Sequence, residues 1–123
     1  MLVALDLSAA FDMVDHQILL NRLSTSFGVR GLALSWLQSY LSDRLQQIRI
    51  ATSSSIPERC CFGVPQGSVL GPILFTLYTA PVGQLITSCE VMHQQYADDT
   101  QIYIALSAPD HHSSILKLEQ CLS

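Results

Sequence analysis

The sequence contains few charged residues, and this scarcity limits what the chain can bind unaided. Charged residues make up 13% of its 123 residues, whereas about 25% is usual for a soluble protein. Hydrophobic residues reach 49%, so we expect part of the surface to be covered by other protein. The net charge is −4 and the basic residues are scattered. Both features argue against a self-sufficient nucleic-acid-binding domain, which would present a basic face.

Other common signals are missing as well. The cysteines show no Cys-x-x-Cys spacing and no paired histidines nearby, so we predict reduced thiols of an intracellular protein and no zinc site. No basic segment precedes the apolar start, which argues against a secretory signal peptide. The most apolar stretch, residues 69–82, contains Gly71, Pro72 and Pro81. It is shorter than the roughly 20 residues of a membrane span. We therefore predict a buried helix there and no membrane partner.

Short apolar runs alternate with amphipathic segments, which predicts a single α+β domain. Helical spacing of apolar residues occurs over 13–28, over 31–43 and from about 113 to 123. Another helix is predicted to begin with Gly71 as its cap and Pro72 as its first residue. Pro81 should kink or end that helix.

The remaining apolar runs predict strands. Extended segments are expected over residues 1–6, 46–51, 59–64, 91–97 and 100–106. The last two would form a hairpin, with Ile102, Ile104 and Leu106 on one face.

Three carboxylates occupy positions where strands are predicted to end. Asp6 closes the first apolar run, and Asp98 and Asp99 lie at the turn of the predicted hairpin. Adjacent carboxylates repel each other, so a divalent cation is their natural partner. Three strand-end carboxylates from distant parts of a chain are also what two-metal phosphoryl transfer requires.

Three segments of the sequence resemble motifs A, B and C of a reverse transcriptase palm, in particular that of non-LTR (LINE-type) retrotransposons. They are LDLSAAFD from Leu5 to Asp12, VPQGSVLGP from Val64 to Pro72, and YADD from Tyr96 to Asp99. Each motif alone is a weak signal, but the three in this order are specific. The resemblance implies a palm-like antiparallel sheet that carries the catalytic carboxylates and packs against helices.

The resemblance also implies the chemistry. Asp6, Asp98 and Asp99 would be the catalytic residues and would bind two Mg²⁺ ions, for which Mn²⁺ can substitute. Carboxylate oxygens suit this hard cation, which keeps coordination positions for water and substrate phosphates. The implied partners are an RNA template, a DNA primer whose 3′-hydroxyl accepts the nucleotide, and deoxynucleoside triphosphates.

Four further residues match substrate-binding positions of the family. Phe11, five residues after Asp6, matches an aromatic steric gate that excludes a ribose hydroxyl, with a core aromatic as an equal alternative. Gln66 matches a residue that contacts the incoming nucleotide or the template strand, and Gly67 would let the backbone approach the template base pair. An ordinary turn is the alternative for both. Tyr96 matches an aromatic set near the primer end, and core packing is its equal alternative. Two nearby carboxylates are interpreted as helix caps and not as ligands, namely those of Asp12 and Asp15.

By resemblance, residues 1–123 would be an incomplete reverse transcriptase domain. They would form the palm core and lack the N-terminal fingers, the chain from motif D onward, and the thumb. We therefore expect the isolated chain to bind Mg²⁺ or Mn²⁺ weakly and to extend a primer poorly. Family members prime synthesis at chromosomal DNA, which suggests a nuclear location.

Two alternatives stay open at this point. The first is a catalytically inactive retrotransposon-derived fragment that serves as a structural or interaction module. The second is another metal-dependent enzyme with a palm-like sheet, such as a nucleotide cyclase, since fold does not determine function. Gln66 within Pro-Gln-Gly, and Phe11 at its spacing from Asp6, favour the reverse transcriptase.

Overall fold

The computed structural model describes residues 1–105 and 111–122, and it confirms an α+β fold of helices and antiparallel strands. The helices are α1 (His16–Thr25), α2 (Gly31–Leu41), α3 (Leu70–Ser88) and α4 (His111–Leu122). The strands are β1 (Leu2–Leu5), β2 (Leu45–Gln46), β3 (Arg49–Ile50), β4 (Ser53–Ser54), β5 (Glu58–Arg59), β6 (Met92–Tyr96) and β7 (Asp99–Tyr103). A short 3₁₀ helix, Ala10–Met13, lies between β1 and α1.

The central sheet contains β1, β7 and β6 in that order, with both pairings antiparallel. The middle strand β7 therefore holds the first strand and the hairpin together, as Thr100 pairs with Leu5 on one side and with Gln95 on the other. The predicted first strand and the predicted hairpin are confirmed. Ile104 extends the pairing by donating its N–H to the Met1 carbonyl at 3.1 Å. Leu106, predicted to share its face, lies outside the described residues.

The two faces of this sheet differ because side chains alternate along each strand. We call one the helix face, since Ile102 packs there with Ile86 of α3 and Leu118 of α4. We call the other the open face, because its residues are exposed. The helix face comprises Val3, Leu5, His93, Gln95, Thr100 and Ile102. The open face comprises Leu2, Ala4, Met92, Gln94, Tyr96, Asp99, Gln101 and Tyr103.

In the described part of the chain, buried apolar side chains form two clusters, and α3 contributes to both of them. The first cluster joins the 3₁₀ helix, α1, α2 and the start of α3 and contains Ala10, Val14, Leu19, Leu23, Leu41, Val64, Leu74 and Phe75. The second lies under the helix face and contains Ile86, Val91, Ile102 and Leu118. Because α3 spans both clusters, it connects the N-terminal helices to the sheet.

Helix α3 is longer than predicted. It runs over 19 residues and passes through Pro81 without ending, since packing at both of its ends holds the two halves together. Gly71 is not its cap: the helix begins at Leu70, and the Gly71 N–H donates to the Ser68 hydroxyl at 2.9 Å. The length and composition of α3 also satisfy those of a membrane-crossing helix. In this fold, its buried residues are Gly71, Leu74, Phe75, Thr79 and Ile86.

Residues 45–59 fold back on themselves, so the predictions of single strands over 46–51 and 59–64 are wrong. Strand β2 pairs with β5 and β3 pairs with β4, each over two residues. The chain reverses near Ala51, which has a φ of 51°. The alternating apolar residues that predicted strands do not pack against a core here. Their side chains are exposed, namely those of Leu45, Ile48, Ile50 and Ile56.

Helix boundaries were predicted with smaller errors. Met13 lies in the 3₁₀ helix and is exposed, because α1 begins only at His16. Asp15 caps α1 as predicted, its Oδ1 accepting the Ile18 N–H at 2.9 Å. Helix α4 begins two residues earlier than predicted, at His111.

Candidate active site

The first predicted catalytic residue, Asp6, immediately follows β1. That strand ends at Leu5, which lies opposite Thr100 of the middle strand. Continuing the antiparallel register by one residue brings Asp6 level with Asp99. Asp6 is exposed. The backbone therefore places a carboxylate from the start of the chain at the end of the sheet that carries the acidic pair.

Asp98 lies in the tight turn between β6 and β7. Tyr96 and Asp99 form the last pair of the hairpin, so Ala97 and Asp98 are its two turn residues. Ala97 is buried and has a φ of 51°, the positive φ that the first residue of the favoured two-residue hairpin turns adopts. Asp98 is half-buried and Asp99 is exposed. The turn thus holds the two carboxylates at the same end of the sheet.

These three carboxylates do not form a complete metal site in the structure. Across residues 1–105 and 111–122, no three Asp, Glu, His or Cys side chains lie close enough together to hold one ion. The donor chemistry nevertheless suits Mg²⁺, and the register brings Asp6 level with Asp99. The assignment of Asp6, Asp98 and Asp99 as metal ligands stays a prediction.

The two predicted aromatic site residues have different surroundings. Tyr96 lies on the open face opposite Asp99 and is 77% exposed, so the structure gives it no core-packing role. Phe11 is half-buried and stacks on Phe75, with 5.2 Å between ring centroids. That contact supports the core alternative for Phe11, whereas its role as a steric gate stays a prediction.

The segment that carries Phe11 is joined directly to motif B. The Val64 N–H donates to the Phe11 carbonyl at 2.8 Å, and His16 Nε2 lies 2.7 Å from the Gly63 carbonyl oxygen. Gly63 has a φ of 89°, and a Cβ there would lie 3.1 Å from Asp12 Cα. Because a side chain would be strained and crowded at this position, glycine lets the two segments approach. Backbone contacts thus fix motif B against motif A.

Gln66 and Gly67 form the exposed turn that precedes α3. The Ser68 N–H donates to the Pro65 carbonyl at 3.2 Å, and Gly67 has a φ of 79°. A turn whose third residue has positive φ favours glycine there. The local geometry is therefore that of an ordinary turn. It also leaves the Gln66 side chain accessible, so its predicted substrate contact stays a prediction.

Gln66 lines a polar groove between motif B and the β2 segment. The groove has a volume of about 370 Å³ and is also lined by Asp12, Arg44, Gln46 and Phe62. These residues offer hydrogen-bond donors and acceptors, a carboxylate and a guanidinium. The groove therefore brings Asp12 of motif A and Gln66 of motif B onto one surface with Arg44 and Gln46 from the segment around β2.

Helix α3 links motif C to the rest of the site through polar side chains. Gln95 Nε2 of β6 donates to Thr79 Oγ1 at 2.7 Å, and this buried hydroxyl donates to the Phe75 carbonyl at 3.0 Å. Phe75 in turn stacks on Phe11. A continuous path of contacts therefore connects the hairpin that carries Asp98 to the segment after Asp6.

Sequence reasoning missed several residues that position this site. Gly63 had an available signal, since an isolated glycine in an extended run often marks close backbone approach. Thr79 lies on the same side of α3 as the apolar residues Phe75 and Ile86, which predicts that its hydroxyl is buried. A buried hydroxyl needs a hydrogen-bond partner. Nothing local indicated that Gln95 would be that partner.

Comparison with known proteins agrees with the three motifs. A model of the family "Reverse transcriptase (RNA-dependent DNA polymerase)" matches residues 1–123. The probable RNA-directed DNA polymerase from transposon BS of Drosophila melanogaster is 42% identical over 78 residues, 63% of this chain and 8% of that protein. The probable RNA-directed DNA polymerase from transposon X-element of the same species is 36% identical over 97 residues, 77% of this chain and 10% of that protein.

A third relative is the RNA-directed DNA polymerase from mobile element jockey of Drosophila melanogaster, which is 32% identical over 103 residues. That match covers 80% of this chain and 11% of the relative. The chain thus spans about a tenth of the length of the relatives it matches. With a family match over every residue and three motifs in the expected order, the resemblance is confirmed: this chain belongs to the reverse transcriptase (RNA-dependent DNA polymerase) family.

Proposed function

We propose that the chain supplies the palm of an RNA-directed DNA polymerase, in which nucleotides are transferred to a primer 3′-hydroxyl. The observation that carries this proposal is the strand register. It brings Asp6 level with Asp99 at the end of a hairpin whose turn holds Asp98. Membership of the reverse transcriptase family supports the same reaction.

Asp6, Asp98 and Asp99 would hold the divalent cations of this site. Two Mg²⁺ ions, or Mn²⁺ in their place, would supply charge neutralisation and activation of the attacking hydroxyl. Because neighbouring carboxylates repel one another, we expect cation binding to draw the three side chains together. The protein groups otherwise position the reactants, and Tyr96, which is exposed opposite Asp99, would contribute its ring near the primer end.

The remaining site residues would bind nucleic acid and nucleotide. Gln66 would contact the incoming nucleotide or the template strand, and Gly67 would let the backbone approach the template base pair. Phe11 would press on the sugar and exclude a ribose hydroxyl, with Phe75 fixing its ring. The proposed substrates are an RNA template, a DNA primer and deoxynucleoside triphosphates. Fingers, thumb and a basic nucleic-acid grip would come from other parts of a longer, nuclear polymerase.

A cation titration tests the proposed metal ligands. We expect Mn²⁺, followed by electron paramagnetic resonance of the free ion, to bind the 123-residue chain weakly. Asp98→Asn should lower that affinity at least about tenfold, since it removes a charged ligand. Asp43→Asn is the matched control, because Asp43 lies in the loop after α2 and pairs with Arg59. Equal affinities for the wild type and Asp98→Asn would contradict the assignment.

Primer extension on an RNA template separates the polymerase from the rival proposal of an inactive interaction module. We expect weak deoxynucleotide incorporation at most from the isolated chain. Any incorporation should disappear in Asp98→Asn and persist in Asp43→Asn. Robust extension that survives Asp98→Asn would remove the mechanism, whereas a wild-type chain that binds no Mn²⁺ would favour the inactive module.

A further inference from the structure

Two cysteines outside the proposed active site meet where α4 packs against the end of α3. Cys89 is the C-cap of α3, and Cys121 lies in the last turn of α4. Both are half-buried free thiols. Both also pack against one hydrophobic cluster, which contains Ile86, Val91, Ile102 and Leu118. Two elements far apart in sequence therefore bring these thiols into one small region.

The neighbouring ion pair aligns the two cysteines. Lys117 Nζ contacts Glu90 Oε2, and Glu90 directly follows Cys89. Lys117 and Cys121 are four residues apart, which places them on the same side of α4. The helix side that reaches Glu90 therefore also carries Cys121 towards Cys89. Consistent with that contact, burial and then the Cys89 thiol raise the pKa of Cys121.

We propose that Cys89 and Cys121 form a reversible disulfide bond that fastens α4 to the end of α3. The oxidant would be a small-molecule disulfide. One cysteine, as its thiolate, attacks a sulfur of that disulfide, which forms a mixed disulfide and releases one small thiol. The second cysteine then attacks the protein sulfur of the mixed disulfide and releases the other small thiol. Two cysteines lose two electrons, the small disulfide gains them, and the two cysteine protons end on the released thiols.

This bond would enclose the motif C hairpin in a covalent ring. Residues 90–120 lie between the two cysteines, and they include the turn with Asp98 and Asp99. A cross-link across that segment restricts the unfolded chain and so stabilises the folded one. Because the thiolate is the reactive form and the pKa of Cys121 is raised, oxidation should accelerate as the pH rises from 7 to 9.

Peptide mapping after oxidation tests the proposal. The folded chain is incubated with oxidised and reduced glutathione at pH 8, its remaining thiols are alkylated, and it is cut with trypsin and a glutamate-specific protease. Cleavage after Glu119 releases Cys121 in residues 120–123, while Cys89 stays in residues 60–90 with Cys60 and Cys61. The double variant Cys60→Ser/Cys61→Ser therefore makes the partner of Cys121 unambiguous.

We expect mass spectrometry to show residues 120–123 linked to 60–90 in both the wild type and that double variant. Cys121→Ser should abolish the link. The oxidised wild type should have a higher unfolding temperature than the reduced chain, and a dithiol reductant should reverse the rise. Three results would overturn the proposal: separate glutathione adducts on Cys89 and Cys121, a bond to Cys60 or Cys61 instead, or a link that forms only in urea.

Discussion

The two faces of the central sheet use the same strands for different purposes. On the helix face, Ile102 is 1% exposed and packs with side chains of α3 and α4. On the open face, Tyr96 is 77% exposed and lies opposite Asp99. Because successive side chains of a strand point to opposite faces, each strand can be anchored by one set of residues and present the other. Along each strand, residues that pack against the helices therefore alternate with residues that are exposed on the face proposed to carry the chemistry.

The largest expected effect comes from removing the central side chain of the helix face. Ile102→Ala should lower the free energy of unfolding by about 2–4 kcal/mol, since it leaves a cavity between α3, α4 and the sheet. Gln101→Ala is the matched control on the open face of the same strand, and it should change stability by at most about 0.5 kcal/mol. Urea unfolding of both variants measures the difference. Equal losses would break the distinction between the two faces.

A smaller effect is expected from the polar link between the helix face and α3. Thr79→Val keeps the side-chain shape but removes the hydroxyl that accepts from Gln95 and donates to Phe75, so it should cost about 1 kcal/mol. Thr76→Val is the control, because Thr76 is exposed and its hydroxyl donates to the Pro72 carbonyl of its own helix. Urea unfolding should give a loss for Thr76→Val of less than about 0.5 kcal/mol. A larger loss for Thr76→Val than for Thr79→Val would show that the link to the sheet contributes nothing.

The smallest effect concerns the exposed ion pair at the edge of this region. Lys117 lowers the pKa of Glu90, by a hydrogen bond first and then by its charge. A lowered carboxyl pKa stabilises the fold above the pKa of the unfolded chain, and that contribution is lost as the pH falls through the folded value. The unfolding temperature should therefore drop slightly more between pH 7 and pH 3 for the wild type than for Lys117→Gln. High salt should reduce this difference, because the pair is exposed. Identical pH profiles in low salt would exclude the pair as a contributor.

The sequence predictions were accurate where nearby residues determine the structure and inaccurate where distant contacts determine it. Strand β1 was predicted because a continuous apolar run ends at Asp6, and the β6–β7 hairpin because two extended segments flank the acidic pair. Asp15 was recognised as a cap because its partner is three residues away. The strands of residues 45–59 were predicted wrongly because the alternating apolar residues there belong to two small two-stranded sheets, neither of which has a buried face. Helix α3 passes Pro81 because contacts at both of its ends override the local break.

Motif order in the amino-acid sequence was sufficient to identify the reverse transcriptase family, since the acids, the Pro-Gln-Gly turn and their flanking runs are local features. The way in which distant segments of the chain contact one another could not be predicted from such local features. It depends on the register that brings Asp6 level with Asp99, on the close backbone contact at Gly63, and on the bond between Gln95 and Thr79. Each of these joins residues far apart along the chain, so their geometry exists only once the helices and the sheet have packed.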